Sequence, residues 1–408
     1  MKNLLALFLF IFPAFTFAQP AYIHHEKGVQ KLKNKQYAES ILDFDKAIKA
    51  DATYFEAYID RGRANVALNK NDLAMADFSK AVQLNPKYAP GFFERAKVYS
   101  ALGKDKEAIE DYTKITQVQP DFSDTYVYRG QLYFKTGQND LALADFNKAI
   151  SLKAKNAEVF YQRGLLYLAM KKTNEAMKDL TAAIEIDPLM TRAFFERGKL
   201  YATQSRQHEL AVADYSKAIT LKHPGEEVYH LRAVSYTALR KNEEAIRDYS
   251  SVIEMFKSKD PEIYRSRGDL FRQRNDHVNA IKDYNRALSF KKDDAVILTS
   301  RGQSQFALGK GKYPMAQQDF NKALGIDPDN VNAAYGLGQI FFENNKFEES
   351  IASLDKAIKI KATADAYYLR SKCHHKLNHK KNVCEDLNKA AEMGHPEAKK
   401  DVITICGK

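Results

Sequence analysis

The residues best equipped for chemistry crowd the C-terminal end of the chain. Cys373, Cys384 and Cys406 are its three cysteines, and His374, His375 and His379 stand among them. Thiolates and imidazoles are the usual ligands of zinc. His375 and His379 are four residues apart, on one face of a helix, and could share a metal. No carboxylate or thiolate stands at a fixed reach from them, and His374 occupies a core position, so no metal is expected. Three cysteines permit one disulfide and one leftover thiol. Cys384 lies near the start of one helical segment and Cys406 near the end of the next, so antiparallel packing should bring Cys384 and Cys406 together. Cys373 replaces a small buried residue and reads as core. There is no nucleophile elbow, phosphate-binding loop, dinucleotide fingerprint, HExxH or paired-cysteine zinc spacing. The chain reads as a non-enzyme, with no cofactor.

A second set of charged residues recurs along the chain. It gives the pairs Arg61–Asp77, Arg95–Asp111, Arg129–Asp145, Arg163–Asp179, Arg197–Asp214, Arg232–Asp248, Arg267–Asp283, Arg301–Asp319 and Arg370–Asp386. Arg129 and Asp145 are each eight residues from Gly137, so a helical hairpin turning there sets them level. Near the N-terminus Lys27 and Asp43 take these places, and in one copy Leu337 and Ser353 replace both partners together. Joint loss argues that the two residues touch. A ladder of charged ligand sites is the alternative. Pairing within the hairpin needs no outside ligand, and these residues read as structural.

What positions them is a repeat. Thr125–Ile150 holds two short amphipathic segments around Gly137-Gln138-Asn139. Tyr126, Gly130 and Tyr133 share one face of the first segment, and Ala142, Phe146 and Ala149 share one face of the second. Each segment is too short to be stable alone in water. The rest of the chain supplies near-copies, 34 residues apart wherever no insertion falls. The small residue of the first segment recurs as Gly28, Gly62, Ala96, Gly130, Gly164, Gly198, Ala233, Gly268, Gly302, Gly338 and Ser371. A large one faces it, from Phe44 and Phe78 through Phe146 to Leu387. Glycine inside a helix costs roughly 1 kcal/mol against alanine. Its recurrence therefore requires close approach of the paired helix. Pro86, Pro120, Pro188 and Pro328 end second helices, and an insertion leaves Pro314 in a helix first turn.

This pattern resembles the tetratricopeptide repeat. It has the 34-residue period, an aromatic four residues before the small one, Tyr three after, then Ala, Phe or Tyr, Ala and Pro. Departures are few: Ala334 replaces the leading aromatic, and Gln305 and His374 replace the Tyr. The resemblance covers 21–394 as repeats near 21–54, 55–88, 89–122, 123–156, 157–190, 191–225, 226–260, 261–294, 295–330, 331–363 and 364–394. Residues 395–408 read as a C-terminal capping helix with Ala398, Val402 and Ile405 on its stripe. The resemblance implies an all-α, right-handed α-solenoid (superhelix) of about eleven hairpins whose first helices line a concave groove. It implies groove positions three residues before the small residue and one, four and five after it. Here those positions hold Phe93, Lys97, Val127, Gln131, Phe134, Tyr161, Leu168, Phe195, Lys199, Phe306, Tyr335, Gln339, Phe342 and Tyr368. Aromatics beside polar groups suit an extended peptide or helical segment. The same aromatics could instead stack neighbouring repeats, and both readings stand. Glu56, Asp124, Glu158, Glu227, Glu262 and Asp365 could form an acidic rim, although helix N-termini favour such charges anyway. The Lys and Asn set with which chaperone-binding members clamp a terminal carboxylate is absent, which argues against that ligand.

Residues 1–18 read as a secretory signal peptide, with Lys2 before an apolar stretch from Leu4 to Phe15 and Thr16-Phe17-Ala18 as the exit. The apolar run is short for a bilayer span of about 20 residues, and none follows, so no membrane span is expected after its removal. The net charge of +11 is interleaved with acidic residues. That fits a solvated exterior better than a nucleic-acid footprint. The expectation is therefore a soluble scaffold exported to the periplasm or exterior of a bacterial cell, binding a protein or peptide partner in its groove. The alternatives are a nucleic-acid-binding helical-repeat protein or an accessory subunit of an envelope assembly.

Overall fold

Repeat 4 shows how the sequence builds a hairpin. Its first helix runs Ser123–Lys135 and its second Asn139–Ser151. Between them Gly137 takes φ +77°, open to glycine without a Cβ penalty. The Gly137 N–H then donates to the Phe134 carbonyl at 3.0 Å and the Gln138 N–H to Tyr133 at 2.8 Å. Those two bonds satisfy carbonyls that the helix end would otherwise leave open. Asn69, Asn275, Asn345 and Asn378 hold the same left-handed position elsewhere, because asparagine tolerates it best after glycine. Several first helices are capped by side chains: Asn156, Asp260, Asp294, Asn330 and Thr363 each accept a backbone N–H.

The core forms where a large residue of the second helix meets the small residue of the first. Phe146 is fully buried, and a Cβ added at Gly130 would stand 2.8 Å from its ring. Val159 and Leu166 of repeat 5 join the same cluster, so each hairpin completes its core only with the next.

The structure, a computed structural model, describes residues 15–152, 156–204 and 206–407. It contains twenty-three α-helices and, among the described residues, no strand. The first helix is Phe15–Lys33; most of the expected signal peptide lies outside the described residues. The chain divides into two compact units, residues 1–197 and 198–408. Within each, helices pack against their neighbours in sequence. The fold is an all-α solenoid of paired helices. No helix among the described residues is long and apolar enough to cross a membrane.

The arginines do more than pair within their hairpins. Arg129 Nε and Nη2 donate to the two oxygens of Asp145, each at 2.8 Å. Its Nη1 reaches back to Thr113 at 3.1 Å, on the second helix of the preceding repeat. The same bidentate geometry holds for Arg95–Asp111, Arg163–Asp179, Arg232–Asp248, Arg267–Asp283, Arg301–Asp319 and Arg370–Asp386. Arg61 likewise meets Asp77 at 2.6 Å. The backward donor finds Asp45, Ser79, Asn147, Ser216, Ser250, Asn285 and Asp355 in turn, and Arg197 reaches Thr181. One guanidinium thus ties two repeats together through its fork of donors. The Arg197–Asp214 pair falls across the division between the two units and remains an expectation. In repeat 1 the structure corrects the sequence reading: Lys31, not Lys27, meets Asp43, at 2.6 Å. Lys27 is solvent-exposed, and the flexible lysine one turn further along reaches the carboxylate instead.

At the C-terminus the helix Pro396–Cys406 packs on the last hairpin. Cys384 and Cys406 are joined as a disulfide across 22 residues, with Cα atoms 5.8 Å apart. Cys373 is free and buried. Replacing Cys384 and Cys406 by serine is expected to cost about 3 kcal/mol through the freed loop. Hydrogen exchange should show faster opening of Pro396–Cys406, with the first repeats unchanged.

Candidate functional site

Four consecutive repeats of the second unit build a cleft of about 450 Å³. Phe306 and Gln303 come from the helix Ala295–Ala307, and Val331, Asn332, Tyr335 and Gln339 from the helix Val331–Glu343. Arg272, Asn275 and His277 form one end, and Thr363 with Asp365 the other. Repeat 9 carries Thr299 where repeats 3 and 5 carry Phe93 and Tyr161; Thr299 is buried and accepts from the Asn330 amide at 3.1 Å.

The walls are rigid. Phe306 stacks on Tyr313, ring centroids 5.0 Å apart. Tyr284 donates to Asp269 at 2.7 Å and accepts from Arg272 Nε at 3.3 Å. Burial, with Asp365 adding to it, pushes the Tyr335 phenol up to about 12, so it stays neutral and able to donate. Among the described residues Gln303, Asn332 and Gln339 have no protein hydrogen-bond partner for their side-chain amides, and His277 Nδ1 is buried without one. Neutral donors and acceptors beside two aromatic rings can hold a polar chain carrying an apolar side group.

Of the residues expected in the groove, the cleft gathers Phe306, Tyr335 and Gln339. The others sit elsewhere. Val127, Tyr161 and Phe195 are buried. Phe93 packs against Tyr112, Phe122 and Tyr128, and Arg192 lies over the Tyr161 ring at 4.6 Å. Phe93 and Tyr161, each three residues before the small one, thus lie against side chains of the next repeat, whereas Tyr335 at the same place lines the cleft. Gln131 donates to Glu158 at 3.4 Å, and Lys97 to Glu94 at 3.3 Å. Phe134, Leu168 and Lys199 are half-buried. Phe342 packs on Phe347. Tyr368 is covered by the C-terminal helix, donating to Asp401 at 3.0 Å and lying 4.0 Å from the His395 ring. Sequence reasoning missed Arg272, Asn332 and Thr363; Arg272 holds the position of Phe134 and Phe306, four residues past Gly268, which a search for aromatics passes over.

The histidine cluster also differs from its sequence reading. The helix ends at Lys376, and His379 stands just before the next one, so His375 and His379 do not share a face. His379 Nδ1 instead approaches His374 Nδ1 at 3.2 Å. Among the described residues no three His, Cys, Asp or Glu converge as a metal site. Burial holds His374 below its ordinary value of 6.5, with Arg370 and His379 assisting and Asp386 opposing. The fold therefore favours neutral His374, and the unfolded chain takes the proton first as pH falls. Stability of repeat 11 is expected to drop as pH falls below about 6.5. Urea unfolding read by exchange in Lys380–Glu392 checks it, and His374→Tyr, the residue of repeats 4 and 5, should abolish the drop.

Family models place this architecture. Models described as tetratricopeptide repeat match residues 26–89, 89–122, 157–188 and 307–373, and one described as TPR repeat matches 130–171 and 268–309. Together they span more than half of the chain. The chain belongs to the tetratricopeptide repeat family. Tetratricopeptide repeat protein 13 of Homo sapiens is 29% identical over 133 residues, 33% of this chain and 15% of that protein. The BBSome complex member BBS4 homolog of Drosophila melanogaster is 25% identical over 191 residues, 47% of this chain and 39% of that protein. The chain thus spans well under half the length of the relatives it matches. Among solved structures, a tetratricopeptide repeat protein from Parabacteroides merdae matches at TM-score 0.46 and 20% identity, over 62% of this chain and 98% of that one. YrrB, described as a TPR protein with an unusual peptide-binding site, matches at TM-score 0.39 and 26% identity, over 46% of this chain and 96% of that one. Tetratricopeptide repeat proteins bind protein partners, and most residues lining this chain's cleft come from the first helices of its repeats.

Proposed function

We propose that this protein is an exported, non-enzymatic scaffold that grips an extended segment of a partner protein in the cleft of repeats 8–11. One observation carries the reading: neutral amides on Gln303, Asn332 and Gln339 stand without protein partners beside the rings of Phe306 and Tyr335. An extended backbone presents alternating donors and acceptors that such amides can meet, and its side chains can seat against the rings. Membership of the family supports a protein partner. Export rests on the N-terminal pattern of residues 1–18.

A photo-crosslinking residue at Asn332 would capture the bound segment in native cells, and mass spectrometry would identify it. Affinity for that purified segment should fall at least about tenfold in Tyr335→Ala, the scale of an aromatic anchor. Tyr161→Ala should leave it unchanged. Equal affinity of wild type and Tyr335→Ala would remove the cleft from consideration. Retention of the mature N-terminus in the cytoplasm would remove export.

A further inference from the structure

A second cavity, of about 280 Å³, lies where the C-terminal helix meets the last hairpin. Four of its lining residues are apolar: Phe342, Val383, Leu387 and Ile405. Lys372, His375 and Lys376 line it from the helix Ala364–Lys376, and the two lysines bring positive charge. Among the described residues neither Lys372 nor Lys376 has a carboxylate within salt-bridge distance. The Lys372 ammonium lies 4.5 Å from the Tyr368 ring centroid. The one acidic residue in the wall, Asp401, accepts the Tyr368 hydroxyl at 3.0 Å. An apolar lining that also carries ammonium groups without a carboxylate partner is complementary to an apolar chain ending in an anion. The volume sits at the lower edge of small-molecule sites, which suits a medium-length chain and not a folded partner.

The cavity is also stapled. Val383 and Ile405 both line it, and each is followed directly by a cysteine of the Cys384–Cys406 disulfide. The bond ties together the two helices that carry these lining residues. We propose that this cavity binds a free carboxylic acid with an apolar chain, the carboxylate held by Lys372 and Lys376 and the chain against Phe342, Val383 and Leu387. The intact disulfide keeps the site formed.

Decanoate, titrated calorimetrically into the full mature chain below its micelle concentration, tests this. It should bind at one site, losing about fourfold in affinity for each methylene removed. Decylammonium and decanol should bind at least about tenfold more weakly, since they lack the charge-assisted contact. The pair Lys372→Gln and Lys376→Gln should lose about as much. Ile405→Asp places a carboxylate at the rim on a side chain already 45% exposed, so it should fold and fail to bind. Reduction, or serine at Cys384 and Cys406, should weaken binding, while Tyr335→Ala in the separate cleft should not. Decanol or decylammonium binding as tightly as decanoate would overturn the proposal, as would unchanged affinity in the lysine variants or loss in Tyr335→Ala. Displacement of decanoate by lower concentrations of an acetylated peptide ending in leucine would assign the cavity to a chain terminus and overturn it too.

Discussion

Arg129→Leu is expected to cost about 3–5 kcal/mol of local stability, and Asp145→Ser added to it should recover most of that loss. Asp145 is only 6% exposed, and both of its oxygens are bonded to Arg129. Removing the guanidinium strands a desolvated carboxylate, and that penalty, more than the lost attraction, dominates. The variant also gives up the bond to Thr113 and the guanidinium's place 5.7 Å from the rings of Tyr126 and Tyr133. Repeat 10 is the natural version of the double variant. Leu337 is buried there, and Ser353 returns its hydroxyl to the Glu349 carbonyl at 2.9 Å. Urea unfolding of wild type, both single variants and the double variant gives the coupling between the two sites. Because repeats couple to their neighbours, hydrogen exchange in Asn139–Ser151 should report it locally. A double variant no more stable than Arg129→Leu would show that lost packing, and not a stranded charge, sets the cost.

The fold was legible because its signal is repeated. One hairpin is ambiguous, but the same small-to-large facing pair from Gly28 with Phe44 to Ser371 with Leu387 leaves little room for another architecture. The ion pairs were legible because both partners lie in one hairpin, equidistant from its turn. Their third bond was not sought, although its trace is present: two residues after each aspartate stands an oxygen-bearing side chain, Asp45, Ser79, Thr113, Asn147, Thr181, Ser216, Ser250 and Asn285. Lys31 was missed because a lysine's reach is not fixed by its position. The cleft was the least legible part. Position predicts which face a side chain starts from, but Phe93 and Tyr161 are covered by Tyr128 and Arg192 of the next repeat. The cleft is lined as much by Gln303, Asn332 and Gln339 as by rings, and a search for aromatics looks past them. His379 was misplaced for a simpler reason: a helix end at Lys376 separates it from His375.

Phe146→Ala should cost about 3–5 kcal/mol. The ring is fully buried, it occupies the notch at Gly130, and residues of two repeats close over it. Truncation leaves a cavity between helices that have only one another for support. Phe146→Leu should cost less than about 1.5 kcal/mol, since repeats 5 and 10 place Leu180 and Leu354 there against Gly164 and Gly338. The reciprocal test is sharper. Gly130→Leu alone overpacks, because even its Cβ would stand 2.8 Å from the ring, at roughly 3 kcal/mol. In a Phe146→Ala background the new leucine enters the vacated space. The two losses should therefore fail to add, with the double variant more stable than their sum by more than about 1 kcal/mol. Chemical unfolding followed by exchange in Ser123–Lys135 measures this, and amides of repeats 8–11 should keep their protection. Strict additivity would mean that the glycine and the phenylalanine do not share one volume, and the close approach that glycine allows would not be what holds each hairpin together.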